Sequence, residues 1–101
     1  MIALVQVTFP DLETAERIVA TLLEERLAAC ANLTDCRSRY RWQGQVERAE
    51  EVLAQFKTLP DRAPALAARL AALHPYDLPA VEWWTAATDD AVIGWLGDEV
   101  S

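Results

Sequence analysis

Ile2 to Thr8 reads IALVQVT, a short run rich in branched apolar residues, which predicts a buried strand. Pro10 and Asp11 interrupt the run, and Asp11 is placed to cap a helix. Behind it Ala15, Ile18, Val19, Leu22 and Leu23 recur at helical spacing, while Glu13, Glu16, Arg17, Glu24, Glu25 and Arg26 fill the other positions. That pattern predicts an amphipathic helix of about four turns whose charged end, Glu24-Glu25-Arg26, is solvated.

Leu27 to Leu33 reads as a second strand. In Ser38-Arg39-Tyr40-Arg41-Trp42 the alternation is strict, with Tyr40 and Trp42 on one side and the two arginines on the other. Gln43-Gly44-Gln45 is a turn and Val46 to Thr58 returns as a long strand, so the segment is a hairpin. Its aromatic rungs and its length invite pairing with another chain. Leu59-Pro60-Asp61 opens a second helix, with Pro64 in the first turn, where a missing N–H costs nothing. Ala63, Leu66, Ala67, Leu70 and Leu73 give it a narrow stripe of small and aliphatic residues. Pro75 ends this helix at His74. Pro79 to Ala86 is a fourth strand, and Thr88-Asp89-Asp90 starts a short last helix carrying Val92, Trp95 and Leu96.

The order β-α-β-β-α-β plus one helix is an α+β, ferredoxin-like plan. It implies an antiparallel sheet with both main helices on one face, an extended hairpin and an extra C-terminal helix. At 101 residues the chain makes a single domain, 1–101, with a core small enough that a partner subunit would help it. Apolar residues make up 52%, which is globular, and no apolar run approaches the ~20 residues of a membrane span. The opening MIALVQVTFP has no basic region and is too short and alternating for a signal peptide, so the expected location is cytoplasmic. A net charge of −7 speaks against a nucleic-acid partner, which requires clustered Lys and Arg. If Cys30 and Cys36 lie on one extended strand they stand roughly 20 Å apart, too far to bridge without a turn between them, and in a reducing cytoplasm both are expected as free thiols. No nucleophile elbow, phosphate loop or CxxC occurs, so no catalytic constellation can be named and an enzyme is not expected.

Several segments together carry a family resemblance. They are Val7-Thr8-Phe9-Pro10-Asp11, Glu25 through Leu33 (ERLAACANL), Ser38 through Gly44 (SRYRWQG), Glu50-Glu51-Val52-Leu53, Lys57-Thr58, His74 through Pro79 (HPYDLP) and Trp95-Leu96. In this order and spacing the chain resembles the CutA divalent-cation-tolerance family over nearly its whole length. The resemblance implies a homotrimer built through the hairpin and a role in copper or divalent-metal tolerance. It also implies a cleft between subunits in which the His74-Pro75-Tyr76 segment lies beside an aromatic at Trp42. The chain departs from the family in places. Ala31 stands in the Cys30-Ala31-Asn32 motif, and Ala80 replaces a carboxylate, with Glu82 two residues on. Trp83-Trp84 replace smaller aliphatics, Val7 stands where some members carry cysteine, and Leu73 where some carry a second histidine. A copper site of cysteine plus a histidine pair is therefore incomplete in this chain.

The candidate metal ligands are His74, the only histidine, with Asp77 near it and Cys30. Neutral imidazole is the commonest ligand, yet a histidine in the last turn also suits a helix C-terminus with nothing bound. A soft Cys30 thiolate would select Cu(I), yet a strand cysteine also serves as a small core residue. The expected ion is copper or another divalent cation, weakly bound, with no organic cofactor. Tyr40, Trp42 and Tyr76 suit interface and cleft packing. Glu51 and Lys57 share a strand face by parity, with Leu53 and Gln55 between them, and suit ion pairs across a subunit boundary. Two function classes remain: a metal-tolerance homotrimer with weak inter-subunit cation sites, or a PII-like trimer that recognises a small ligand or partner in its clefts.

Overall fold

The computed structural model describes all residues, 1–101. Strand β1 (Ile2–Phe9) is followed by helix α1 (Leu12–Glu24), then β2 (Cys30–Trp42) and β3 (Gln45–Thr58). A 3-10 turn (Pro60–Arg62) leads into α2 (Ala63–Leu73), then β4 (Glu82–Ala86) and α3 (Asp90–Glu99). The sheet runs β2-β3-β1-β4 and every neighbouring pair is antiparallel. This is the ferredoxin-like plan that the sequence pattern implies.

Alternation along β1 sends Ala3, Val5, Val7 and Phe9 to one face, opposite Thr58, Phe56, Ala54 and Val52 of β3. Ala15, Ile18, Val19 and Leu22 of α1 and Ala63, Leu66 and Leu70 of α2 join them in one buried cluster, so both helices cover the same face. Phe9, Phe56, Ile18, Leu22, Leu66 and Leu70 are fully shielded, each contributing roughly 1.5–3 kcal/mol through burial. Asp11 caps α1 as expected, its Oδ1 accepting from the Thr14 amide at 2.8 Å.

The other end of α1 is solvated as expected, with Glu24, Glu25 and Arg26 all exposed, and it carries a feature the sequence pattern does not show. Arg26 adopts φ 59° and forms the left-handed cap usually given to glycine, its N–H reaching Leu23 O and the Leu27 N–H reaching Leu22 O. The exposed side chain also reaches the far end of the chain. Nε donates to Glu99 O at 3.1 Å and Nη2 to Asp98 O at 2.8 Å, and the Ser101 amide donates back to Arg26 O. One arginine thus ends α1 and holds the last turn of α3.

Two strand boundaries also differ from the sequence reading. Cys30, not Leu27, begins β2, and the strand runs unbroken to Trp42. β4 begins at Glu82, because the Val81 amide turns back to Pro79 O. Gln43 (φ 52°) and Gly44 (φ 80°) join β2 to β3 with two consecutive positive φ angles, the requirement of a type I′ turn. β1 ends opposite Val52, so from Cys36↔Glu51 to Trp42↔Gln45 the two strands pair only with each other. This projecting ribbon lies beyond the helices and stretches the molecule to 45 × 25 × 21 Å.

On the opposite sheet face, Ile2 packs with Leu96 and Val100, with Leu4, Ala29, Leu59 and Ala86 around them. α3 therefore covers one end of the face that α1 and α2 leave bare. By register the remainder holds Gln6, Thr8, Leu53, Gln55, Lys57, Asn32 and Trp84, and no element of the chain lies over it. Trp83 and Trp84 stay exposed on β4, whose outer edge is unpaired.

Candidate functional site

Pro75 forces the residue before it out of helical geometry, and His74 ends α2 at φ −71°, ψ 140°. The chain then turns across the C-terminal end of β1. His74 is buried, its ring stacked on Phe9 with centroids 4.8 Å apart and planes 11° from parallel. Nε2 lies 2.8 Å from Thr8 O, and a carbonyl only accepts, so Nε2 carries the proton. Nδ1 accepts from the Tyr76 amide at 3.1 Å. The ring is therefore the neutral Nε2–H tautomer and its single lone pair is in use. Burial pushes its pKa below the ordinary 6.5, outweighing the Thr8 carbonyl and the Glu51 charge, which favour the proton.

Tyr76 tilts 52° from the imidazole at 4.7 Å and passes over the end of β1 to the first ribbon rung. Its hydroxyl donates to Glu51 Oε2 at 2.7 Å. Glu51 is only 8% exposed, and that desolvation pushes its pKa up. The neighbouring Ser38, Tyr76 and Thr8 side chains, with the nearby His74, outweigh it, so the carboxyl sits below the ordinary range and stays ionised. The Tyr76 hydroxyl is driven far above its ordinary value by burial first and then by Glu51, so it remains a donor. Thr8 O, His74, Tyr76 and Glu51 form one continuous hydrogen-bonded chain that clamps the 74–78 loop onto the sheet.

The structure brings together only part of the predicted set. Tyr40 shares the face of Glu51, two rungs beyond Ser38↔Ala49 and its neighbours toward the tip, and remains exposed. Trp42 lies six rungs from Glu51 toward the tip and Lys57 six residues the other way, about 20 Å in each direction. One chain does not place both beside Tyr76. Cys30 is four rungs from the Leu53 position that pairs with Thr8, about 13 Å along the strands, and its Sγ faces Asn32 Oδ1. Asp77 is exposed beside the clamp, and Glu82 accepts from Gln6 Nε2 at 3.0 Å. Both cysteines are free. Within one chain no three His, Cys, Asp or Glu side chains converge on a metal-sized position. Sequence reasoning missed Thr8, Phe9 and Ser38 as partners of this corner. Thr8 and Phe9 were visible as part of the Val7-to-Asp11 motif and Ser38 as part of the Ser38-to-Gly44 motif, but nothing in either pointed to His74 or Glu51.

No helix is long and apolar enough to cross a membrane. Residues 3–99 match the family profile described as "CutA1 divalent ion tolerance protein". A protein of Pyrococcus horikoshii named "Divalent-cation tolerance protein CutA" is 51% identical over 78 residues, 77% of this chain and 76% of that protein. A protein of the same name from Thermotoga maritima is 38% identical over 100 residues, 96% of this chain and 97% of that one. Among solved structures, the "Periplasmic divalent cation tolerance protein CutA" of Archaeoglobus fulgidus superposes with a TM-score of 0.95 at 30% identity, covering 100% of both chains.

Proposed function

The chain belongs to the CutA1 divalent ion tolerance family, and on that premise we propose that it acts in divalent-cation tolerance as a homotrimer that holds the cation weakly between subunits. The observation that carries this reading is a combination of bare surface and scattered ligands. The part of the sheet face that α3 leaves open and a two-stranded ribbon with Tyr40 and Trp42 on one side lack cover within the chain. Copies of the chain are the occupant the reading assigns to both. No three of the candidate ligand side chains converge in one chain, so a shared cation would draw its ligands from more than one copy. The relatives are named for tolerance to cations, and the role proposed here is binding rather than catalysis.

Weak affinity follows from the state of His74. To ligate, its ring must release the Tyr76 amide, and the metal–nitrogen bond is offset by the hydrogen bond it replaces. A site with such ligation belongs in the micromolar range or weaker, about −8 kcal/mol, with Cu(II) ahead of Zn(II). Light scattering combined with calorimetric titration of Cu(II) tests the reading. A trimer mass and saturable micromolar uptake in proportion to trimer support it; a monomer at micromolar protein concentration refutes it.

A further inference from the structure

Tyr40 and Trp42 occupy one face of the ribbon; the other face is cationic. By register Arg37 stands opposite Glu50, Arg39 opposite Arg48, and Arg41 opposite Val46, all on the face that alternation turns away from Tyr40 and Trp42. Four of the nine basic residues in a chain of net charge −7 are thus gathered on one side of a single two-stranded element. All four are exposed, and no helix lies over them.

This placement runs against the sheet's own preference. Directly opposed like charges in an antiparallel pair bring their Cβ atoms to about 5 Å and destabilise the rung. Arg39 and Arg48 do this, with Arg37 and Arg41 one step to either side on the same face. None of the four makes an ion pair within the chain, even though Arg37 faces Glu50 across the ladder; the ion pair present is Arg69 with Glu25, between the helices. A hollow of about 620 Å³ borders this face, lined by Arg37, Arg39, Arg48 and Glu50 together with the intervening rung of Ser38 and Ala49, whose side chains alternation turns the other way. That volume is of small-ligand size, and five of its six lining residues are polar or charged, where most ligand pockets are lined by apolar ones.

We propose that this arginine face is a binding site for polyphosphate-bearing anions. Guanidinium forks bond phosphate oxygens in pairs, and an extended anion with several charges offsets the repulsion between Arg39 and Arg48 while reaching Arg37 or Arg41. The aromatic face and the arginine face are opposite sides of the ribbon, so covering the first with another copy leaves the second open. The polyphosphate comes either free or as part of a nucleotide, and the chemistry at the arginines is the same.

The test is calorimetric titration of the intact protein at low ionic strength with inorganic tripolyphosphate and, separately, with ATP. Saturable binding of tripolyphosphate, weakened by added salt, is expected. Arg48→Gln and Arg39→Gln should each weaken it at least tenfold, while Arg17→Gln, which removes the same charge from α1, should change it less than twofold. Equal affinities for the two anions would identify free polyphosphate chemistry as sufficient; tighter ATP binding, still lost in Arg48→Gln, would identify a nucleotide. Absence of saturable tripolyphosphate binding, or equal losses in Arg17→Gln and Arg48→Gln, would overturn the proposal. A second reading is independent of ligand: without anion, Arg48→Gln should melt at or above the parent temperature. A lower melting temperature would show that the opposed arginines are not repelling and would also overturn it.

Discussion

The Tyr76 hydroxyl donates to the Glu51 carboxylate across 2.7 Å, joining the loop that leaves α2 to the first rung of the ribbon beyond the end of β1. Removing that hydroxyl leaves a shielded, ionised carboxylate with one donor fewer. Tyr76→Phe should cost about 2 kcal/mol, the scale of a hydrogen bond to a charged group, measured by urea unfolding. The Glu51 carboxyl should titrate at higher pH in the variant, followed by carbon-detected NMR. Unchanged stability together with an unchanged titration would show that the bond contributes nothing.

Two groups of the clamp set opposite ends of its pH response. The folded-state pKa of His74 is lowered from 6.5, so below pH 6.5 the unfolded chain takes up the proton first and stability falls with pH until the folded ring also protonates. Glu51 has its folded pKa below 4.5, so its contribution is present above pH 4.5 and is lost as pH falls through the lower folded value. Melting temperature should therefore decline in two stages on acidification. Replacing His74 with Gln should remove the upper stage alone; a decline of the same shape in that variant would refute the assignment.

Copper titration distinguishes a liganding His74 from one that only closes the helix. If the inter-subunit site uses the ring, Cu(II) should raise the exchange rate of the Tyr76 amide, because the ligating Nδ1 has to release it. Binding should fade as the pH falls below the ordinary imidazole value of 6.5 and through the lowered pKa of His74, because a protonated ring cannot coordinate. His74→Ala should abolish uptake with the oligomer retained. Nanomolar affinity surviving that substitution would move the site elsewhere.

Arg26→Gly separates the two tasks of that residue. Glycine keeps the left-handed cap of α1 without strain but loses the donors to Glu99 O and Asp98 O. Amide exchange at the end of α3 should speed up at least about tenfold, the equivalent of one lost hydrogen bond, while the end of α1 keeps its protection. Equal loosening at both helix ends would contradict this division.

Most of the fold was legible because its signals are local. The β1 run, the helical spacing behind Asp11 and the alternation through Tyr40 and Trp42 each depend on neighbouring residues only. The misread boundaries, at Leu27 and Pro79, fall where apolar residues continue past the point at which the backbone stops pairing. Arg26 is exposed as its charged neighbours suggest, but charge adjacent to charge carries no trace of the Asp98 and Glu99 carbonyls arriving from the far end of the chain. At the candidate site, the lone His74 followed by proline announced the helix end, and the structure places it so. The engagement of both ring nitrogens depends on Thr8 and Tyr76 meeting in space, which no spacing rule encodes. The arginine face had a similar fate: Arg39 and Arg41 were visible, but Arg48 joins them only through the register of the turn.

That turn also orders the assembly of the chain in time. Gln43 and Gly44 bring Trp42 and Gln45 together with almost no loop to close, and each later rung of β2 and β3 adds a small increment. β4 must instead find β1 across nearly the whole chain, with Ile2 opposite Ala86. Local pairing is the fast event, in microseconds for an isolated hairpin, and long-range closure is the slow one. The ribbon that projects furthest from the core should therefore be the first piece of sheet to form. Pulsed hydrogen exchange during refolding should show amides near Gln45 protected before those of Glu82–Ala86, and the reverse order would disprove it. An element formed that early is available to meet another copy of the chain before its own sheet has closed.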